Sequence, residues 1–165
     1  YANQFSKFIE IDGMNVHYRD EGNGEVILLI HGTGASLHTW DKWTDELKKK
    51  YRVVRLDLPA YGLTGPHPQN KYTIPDYSNF LDSFTKSLGI ENFILAGNSL
   101  GGAIAWYYAS EHKEKGRATS RLAERRNSDF AFARYPRDRT CDQCANPYAD
   151  AARRYNHKPR PRAVD

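Results

Sequence analysis

Phe93-Ile94-Leu95-Ala96-Gly97-Asn98-Ser99-Leu100-Gly101-Gly102-Ala103-Ile104-Ala105 is the stretch that decides the fold. Its opening residues are apolar and read as a strand. Its closing residues read as a helix. Between them stands a G-x-S-x-G pentapeptide, Gly97 to Gly101. A strand that turns directly into a helix forces the corner residue into a strained backbone conformation, with its side chain clear of the sheet. Positions two before and two after the corner must be small, because a side chain there would meet the neighbouring strand and helix. The helix start also brings a backbone N–H and a positive dipole end beside the hydroxyl. Taken alone, the pentapeptide also suits a glycine-rich turn that happens to hold a serine. The strand before it and the helix after it select Ser99 as a nucleophile.

Further upstream, Val26-Ile-Leu-Leu-Ile30 is an unbroken apolar run, the pattern of a strand buried on both faces of a parallel sheet. His31-Gly32-Thr33-Gly34 ends it. Acyl transfer needs two backbone donors aimed at the developing oxyanion. Leu100, next after the nucleophile, is placed to supply one N–H, and Thr33, in the loop after a neighbouring strand, the other. His31 precedes the glycine turn and reads as a histidine whose ring ties loops together, not as a general base.

The rest of the first 115 residues alternates strand and helix. Phe5–Ile11 and Met14–Arg19 flank Asp12-Gly13, a pair suited to a tight hairpin turn. Residues 40–50 read as a helix, with Trp40, Trp43 and Leu47 on one stripe and a lysine-rich end that suits the helix dipole. Residues 51–58 read as a buried strand stopped by Pro59, and 59–70 as a loop. Pro75 to Leu88 reads as a second helix, with Tyr77, Phe80, Leu81, Phe84 and Leu88 inward and Gly89 as its stop. Residues 92–96 and 100–111 are the strand and helix of the opening stretch. Such alternation implies a mainly parallel sheet flanked by helices.

Composition breaks at residue 115. Residues 1–115 hold 12 Lys+Arg against 14 Asp+Glu, whereas residues 116–165 hold 12 against 6. Leu, Ile, Val, Phe and Met fall from 29 in the first part to 4 in the second, and the basic residues change from 9 Lys and 3 Arg to 1 Lys and 11 Arg. So few large apolar side chains do not offset the entropy of ordering the segment, and a disordered basic tail is expected over 116–165. No apolar run approaches the roughly 18 residues of a membrane span. Two cysteines, Cys141 and Cys144, do not make a disulfide framework, and with only His157 as a further ligand they do not complete a zinc site. The eleven arginines carry no RNA-binding motif, so a solvated tail is preferred to a nucleic-acid partner. Neither a metal nor a cofactor is expected. The cysteines and the lack of a visible signal favour the cytoplasm. A chain that starts at Tyr1 also admits a removed leader or envelope anchor. No pattern sets an oligomeric state.

Three motifs, Gly97-Asn-Ser-Leu-Gly-Gly102, His31-Gly-Thr-Gly34 and Asp57-Leu-Pro-Ala-Tyr-Gly-Leu-Thr-Gly65, stand in the order of the α/β-hydrolase superfamily, which residues 1–115 resemble. In the third, Ala60 stands where the family usually has glycine. The resemblance implies the first half of an α/β-hydrolase fold: a hairpin leading into a mainly parallel sheet, with an open outer edge on strand 92–96. It implies a serine hydrolase acting on a small ester-like molecule by nucleophilic acyl transfer. Epoxide hydrolases and haloalkane dehalogenases of this fold use a carboxylate where this chain has Ser99.

The family order is Ser, then an acid, then His. Downstream of residue 115 the family's apolar strands are replaced by Gly116-Arg-Ala-Thr-Ser-Arg121. His112 stands 13 residues from Ser99 along the helix, about 20 Å at helical rise. His157 lies in a Pro- and Arg-rich run, and Asp129, Asp138, Asp142 and Asp150 follow no strand pattern. The chain is therefore expected to be a truncated hydrolase with weak or no turnover. The alternative is a non-catalytic relative whose basic tail binds an anionic partner. The abrupt break suggests that the reading frame shifts near Lys115. The hypothesis predicts that another frame of the coding DNA encodes an apolar strand there; if neither does, it is wrong.

Overall fold

A computed structural model of the chain describes residues 2–112 and 130–134. Asp12 and Gly13, both at positive φ, turn β1 (Lys7–Ile11) onto antiparallel β2 (Met14–Glu21), a turn that requires two left-handed residues. β3 (Val26–Ile30) is the central strand. Leu28 and Ile30 enter a large core on one face, while Ile27 and Leu29 enter a smaller one on the other. Burial on both faces is what its unbroken apolar run predicts.

Ser36 caps a 3-10 turn, Leu37–Trp40, which leads into α1 (Asp41–Leu47). This corrects the helix read over 40–50. Trp40 is buried against Ile27 and Val53, but Trp43 is 49% exposed and does not share its stripe. Lys48 and Lys49 reach back to Asp45 and Glu46 in exposed pairs that add little stability.

β4 (Arg52–Leu56) runs parallel to β3 and antiparallel to β2. α2 (Ile74–Ser87) begins in a capping box: the Asp76 N–H donates to Thr73 Oγ1 and the Thr73 N–H to Asp76 Oδ2. Its inward Tyr77, Phe80, Leu81 and Phe84 fill the larger core. Gly89, at φ +63, ends it. β5 (Phe93–Asn98) lies parallel to β3 on the side away from β4, and α3 (Leu100–Glu111) follows after a single residue.

The outer edge of β5, expected to be open, is covered. β6 (Phe130–Arg134) pairs with it antiparallel, Asn98 opposite Phe130 and Ile94 opposite Arg134. Phe-Ala-Phe-Ala has the period of two that suits a strand. Its shortness among arginines hides it from a reading by composition. The sheet order is β1-β2-β4-β3-β5-β6, parallel only through β4, β3 and β5. Helices α2 and α3 pack on one face, and α1 lies with the smaller core on the other. What the sequence predicts for Asp129, Asp138, Cys141, Asp142, Cys144, Asp150 and His157 lies outside the described residues. Among the described residues no helix is long and apolar enough to cross a membrane.

Ala60 stands at φ +73. A Cβ in that region costs about 1 kcal/mol. Ala60→Gly is therefore expected to raise the melting temperature, by about 4 °C for a domain of this size. An unchanged or lower melting temperature would contradict this account of the loop.

Candidate active site

The parallel strands β3 and β5 end side by side, with Ile30 opposite Gly97. In open α/β sheets the crevice beyond the carboxyl ends of the strands is where ligands bind. Here that end carries His31-Gly32-Thr33-Gly34 and the corner at Ser99.

Ser99 has φ 50 and ψ −114, outside the favoured regions for a residue with a side chain, and is solvent-exposed. Such a conformation costs about 1–3 kcal/mol and persists only where the surroundings enforce it. The enforcement is close packing. A Cβ on Gly97 would overlap backbone atoms of Gly101 and Gly102, and one on Gly101 would overlap the backbone of Ile30 and His31, all nearer than 3.0 Å. Ser99 is also the N-cap position of α3, yet its hydroxyl makes no cap hydrogen bond. Ser36 and Thr73, in extended backbone, do cap their helices. The unusual dihedrals at 99 go with a hydroxyl that makes no bond to the helix N–H groups.

The loop after β3 closes on this corner. A Cβ on Gly32 would sit 3.1 Å from Asn98 Oδ1 and 3.2 Å from Ser99 Cβ. Thr33 is exposed and Leu100 partly so. Neither backbone N–H takes a hydrogen-bond partner among the described residues. For Leu100 this follows from its place in the first turn of α3, where N–H groups have no intrahelical acceptor. A depression of about 660 Å³ opens beside Gly34, lined also by Ser36, His38, Ala60, Tyr61 and Leu63.

His31 is wholly buried. Its Nδ1 donates to the Gly32 carbonyl at 2.8 Å, and its Nε2 accepts from the Leu58 N–H at 3.0 Å. Burial pushes its pKa below the ordinary 6.5, against the opposing influence of the Gly32 carbonyl and Asp57. With both nitrogens occupied, the ring fastens the loop after β3 to the end of β4 and has no lone pair left to take a proton.

Each of the other described histidines has at least one ring nitrogen bonded to a residue other than Ser99. His17 bonds Asp57 and Ser6, and His38 bonds Asp41. His67 accepts from the Gln69 N–H, and His112 bonds the Tyr108 carbonyl. Among the described residues no acid and base stand beside Ser99.

Asp57 is the polar centre that the sequence reading did not single out. Its Oδ1 accepts from the Leu37 N–H at 2.8 Å. Its Oδ2 accepts from the Leu63 N–H at 2.9 Å and from His17 Nδ1 at 2.8 Å. Gly62 packs so closely on the carboxylate that a Cβ there would overlap it. Asp57 thus binds the 57–65 loop, the turn before α1 and β2 together. These partners lie 6 to 40 positions away along the chain, and no local pattern announces them.

Residues 25–135 match the family model described as alpha/beta hydrolase fold, an interval that runs past Lys115 and takes in β6. Over 100 residues the chain is 37% identical to the dihydrolipoyllysine-residue acetyltransferase component of the acetoin cleaving system of Cupriavidus necator, covering 60% of this chain and 26% of that protein. Over 112 residues it is 30% identical to the 2-hydroxy-6-oxo-6-(2'-aminophenyl)hexa-2,4-dienoic acid hydrolase of Metapseudomonas resinovorans, covering 66% and 38%. Among solved structures, a bacterial membrane phospholipase A matches with a TM-score of 0.63 at 34% identity, covering 67% of this chain and 36% of that one. An epoxide hydrolase of Vigna radiata matches at 0.62 and 28%, covering 67% and 36%. The chain spans between 26% and 38% of the length of these relatives.

Proposed function

The chain belongs to the alpha/beta hydrolase fold family, and on that premise we propose that it is a serine hydrolase acting on a small ester-like substrate by nucleophilic acyl transfer. One observation carries the reading: Ser99 is exposed at φ 50 and ψ −114, held there by Gly97 and Gly101, with its hydroxyl spent on no helix cap. In this reading Ser99 Oγ attacks the substrate carbonyl, and the Thr33 and Leu100 N–H groups stabilise the oxyanion that forms. The alcohol departs, and water releases the acyl group from Ser99. The choice of an acyl substrate over an epoxide rests on residue 99 itself. An ester of serine forms and hydrolyses by the same carbonyl chemistry, and the similar phospholipase A is named for an activity on ester bonds.

No described residue serves Ser99 as general base, and in this reading the described residues alone give Ser99 weak or no turnover. Dismantling a triad costs about 10⁴ to 10⁶ in rate. Because no described histidine bonds Ser99, we also carry a second reading: a non-catalytic relative whose basic C-terminal segment engages an anionic partner. A fluorophosphonate probe separates the two. Labelling mapped to the Ser99 peptide and abolished by Ser99→Ala is expected for an activated serine. A folded protein whose Ser99 stays unlabelled would favour the second.

A further inference from the structure

We propose that Ser6 is a second nucleophilic serine, activated by His17 and Asp57 independently of Ser99, and that it takes an acyl group from an activated ester. Ser6 Oγ lies 2.9 Å from His17 Nε2, and His17 Nδ1 lies 2.8 Å from Asp57 Oδ2. A carboxylate only accepts, so a ring proton sits on Nδ1, and in the neutral ring Nε2 is then the acceptor for the Ser6 hydroxyl. This is the hydrogen-bond order of nucleophile, base and orienting acid.

Each member is held from behind. Leu37 and Leu63 donate their N–H groups to the Asp57 carboxylate. The His17 ring is wholly buried and stacked by Phe8, with centroids 5.0 Å apart. The turn at Asn3 to Ser6 directs the Asn3 N–H to Ser6 Oγ at 3.1 Å, while the Ser6 N–H donates to the Asn3 carbonyl at 2.9 Å. Ser6 itself is only half-buried. The side chains that flank it, Phe5 and Phe8, are 52% and 45% exposed and offer an apolar seat for an acyl chain. β1 and β5 are four strand spacings apart in the sheet, roughly 19 Å at ~4.8 Å each. The two serines therefore share no base.

In the step, Ser6 Oγ forms a bond to the carbonyl carbon of the ester and its proton passes to His17 Nε2. The bond to the aryloxide breaks, and the leaving group takes that proton as the free phenol. Acyl-Ser6 remains, and no other reactant is consumed.

The test uses the full chain carrying Ser99→Ala, so that its outcome does not depend on the proposed function. The chain is treated with p-nitrophenyl butyrate, and acylated peptides are quantified by mass spectrometry. Ser87, exposed at the end of α2, is the internal reference for an unassisted serine. Ser6 is expected to acylate about 100-fold faster than Ser87, the lower end of what general-base assistance supplies. His17→Gln should bring Ser6 down to the Ser87 rate. Equal rates at Ser6 and Ser87 without any change at position 17 would overturn the proposal, and this comparison stands even if the His17 variant does not fold. An advantage at Ser6 that survives His17→Gln in folded protein would overturn it as well.

Discussion

Alanine at position 101 is expected to cost about 3 kcal/mol or more of stability, read as a lowered urea midpoint with an unchanged slope. The added Cβ would fall nearer than 3.0 Å to the Ile30 and His31 carbonyl oxygens and to the Ile30 carbonyl carbon, all backbone atoms. Overpacking against a flexible side chain is relieved by a rotamer change. Here nothing can rotate away. Ile30 is fully buried in the central strand, between β4 and β5, so moving its carbonyl means moving the sheet. Against a typical total of about 5–15 kcal/mol, such a loss leaves a small domain marginal. Gly32→Ala is the comparison, because its Cβ would meet Asn98 Oδ1, Asn98 O and Ser99 Cβ at 3.1–3.2 Å, where a few tenths of an ångström suffice. If Gly101→Ala loses less than Gly32→Ala, the account of the corner as a site of enforced close packing fails.

Removing the Asp57 carboxylate should cost about as much by a different route. In Asp57→Ala the buried Leu37 N–H, the Leu63 N–H and His17 Nδ1 lose their common acceptor. Hydrogen bonds to a charged group contribute about 1.5–3 kcal/mol each and are not additive, so about 4 kcal/mol is expected for the three. Asp57→Asn keeps the shape and one acceptor oxygen. It also turns an amide N–H towards a donor, so an intermediate loss should follow. Urea unfolding of both variants gives the order. Asp57→Asn as stable as the parent would mean that packing of Gly62, not hydrogen bonding, holds the loop.

The two expectations differ in how far the sequence foretells them. Gly97 and Gly101 are legible because the constraint is local: a strand, one corner residue and a helix occupy thirteen consecutive positions. The Asp12-Gly13 turn and the apolar run Val26–Ile30 are legible for the same reason. Trp43 shows the limit of this kind of reading. Helical spacing from Trp40 places it on the inward stripe, but the chain enters α1 through a 3-10 turn, and the residue is about half exposed. The start of α2 moved by one position because Thr73 and Asp76 form a capping box, which the reading from Pro75 passed over.

The Ser6, His17 and Asp57 contact lay beyond sequence reading altogether. Its members are 11 and 40 positions apart, and although Asp57 opens a recognisable motif, nothing near it in the chain points to Ser6 or His17. β6 was hidden differently. Its alternation is sound, but five residues within an arginine-rich segment carry too little apolar area to announce a strand. The edge of β5 makes it one, by offering a row of unpaired N–H and C=O groups.

By itself, the chain's order of residues determined the hairpin, the buried strands, the two longer helices and a serine at a sharp strand-to-helix corner. Those outcomes depend on dihedral preference and periodicity acting over a few neighbouring residues. Only the tertiary structure decided which strand covers β5, which histidines are already bound, and that one aspartate ties three distant segments together. Hydrogen-bond partners of buried groups are set by what burial brings near, and burial joins positions that the chain keeps far apart.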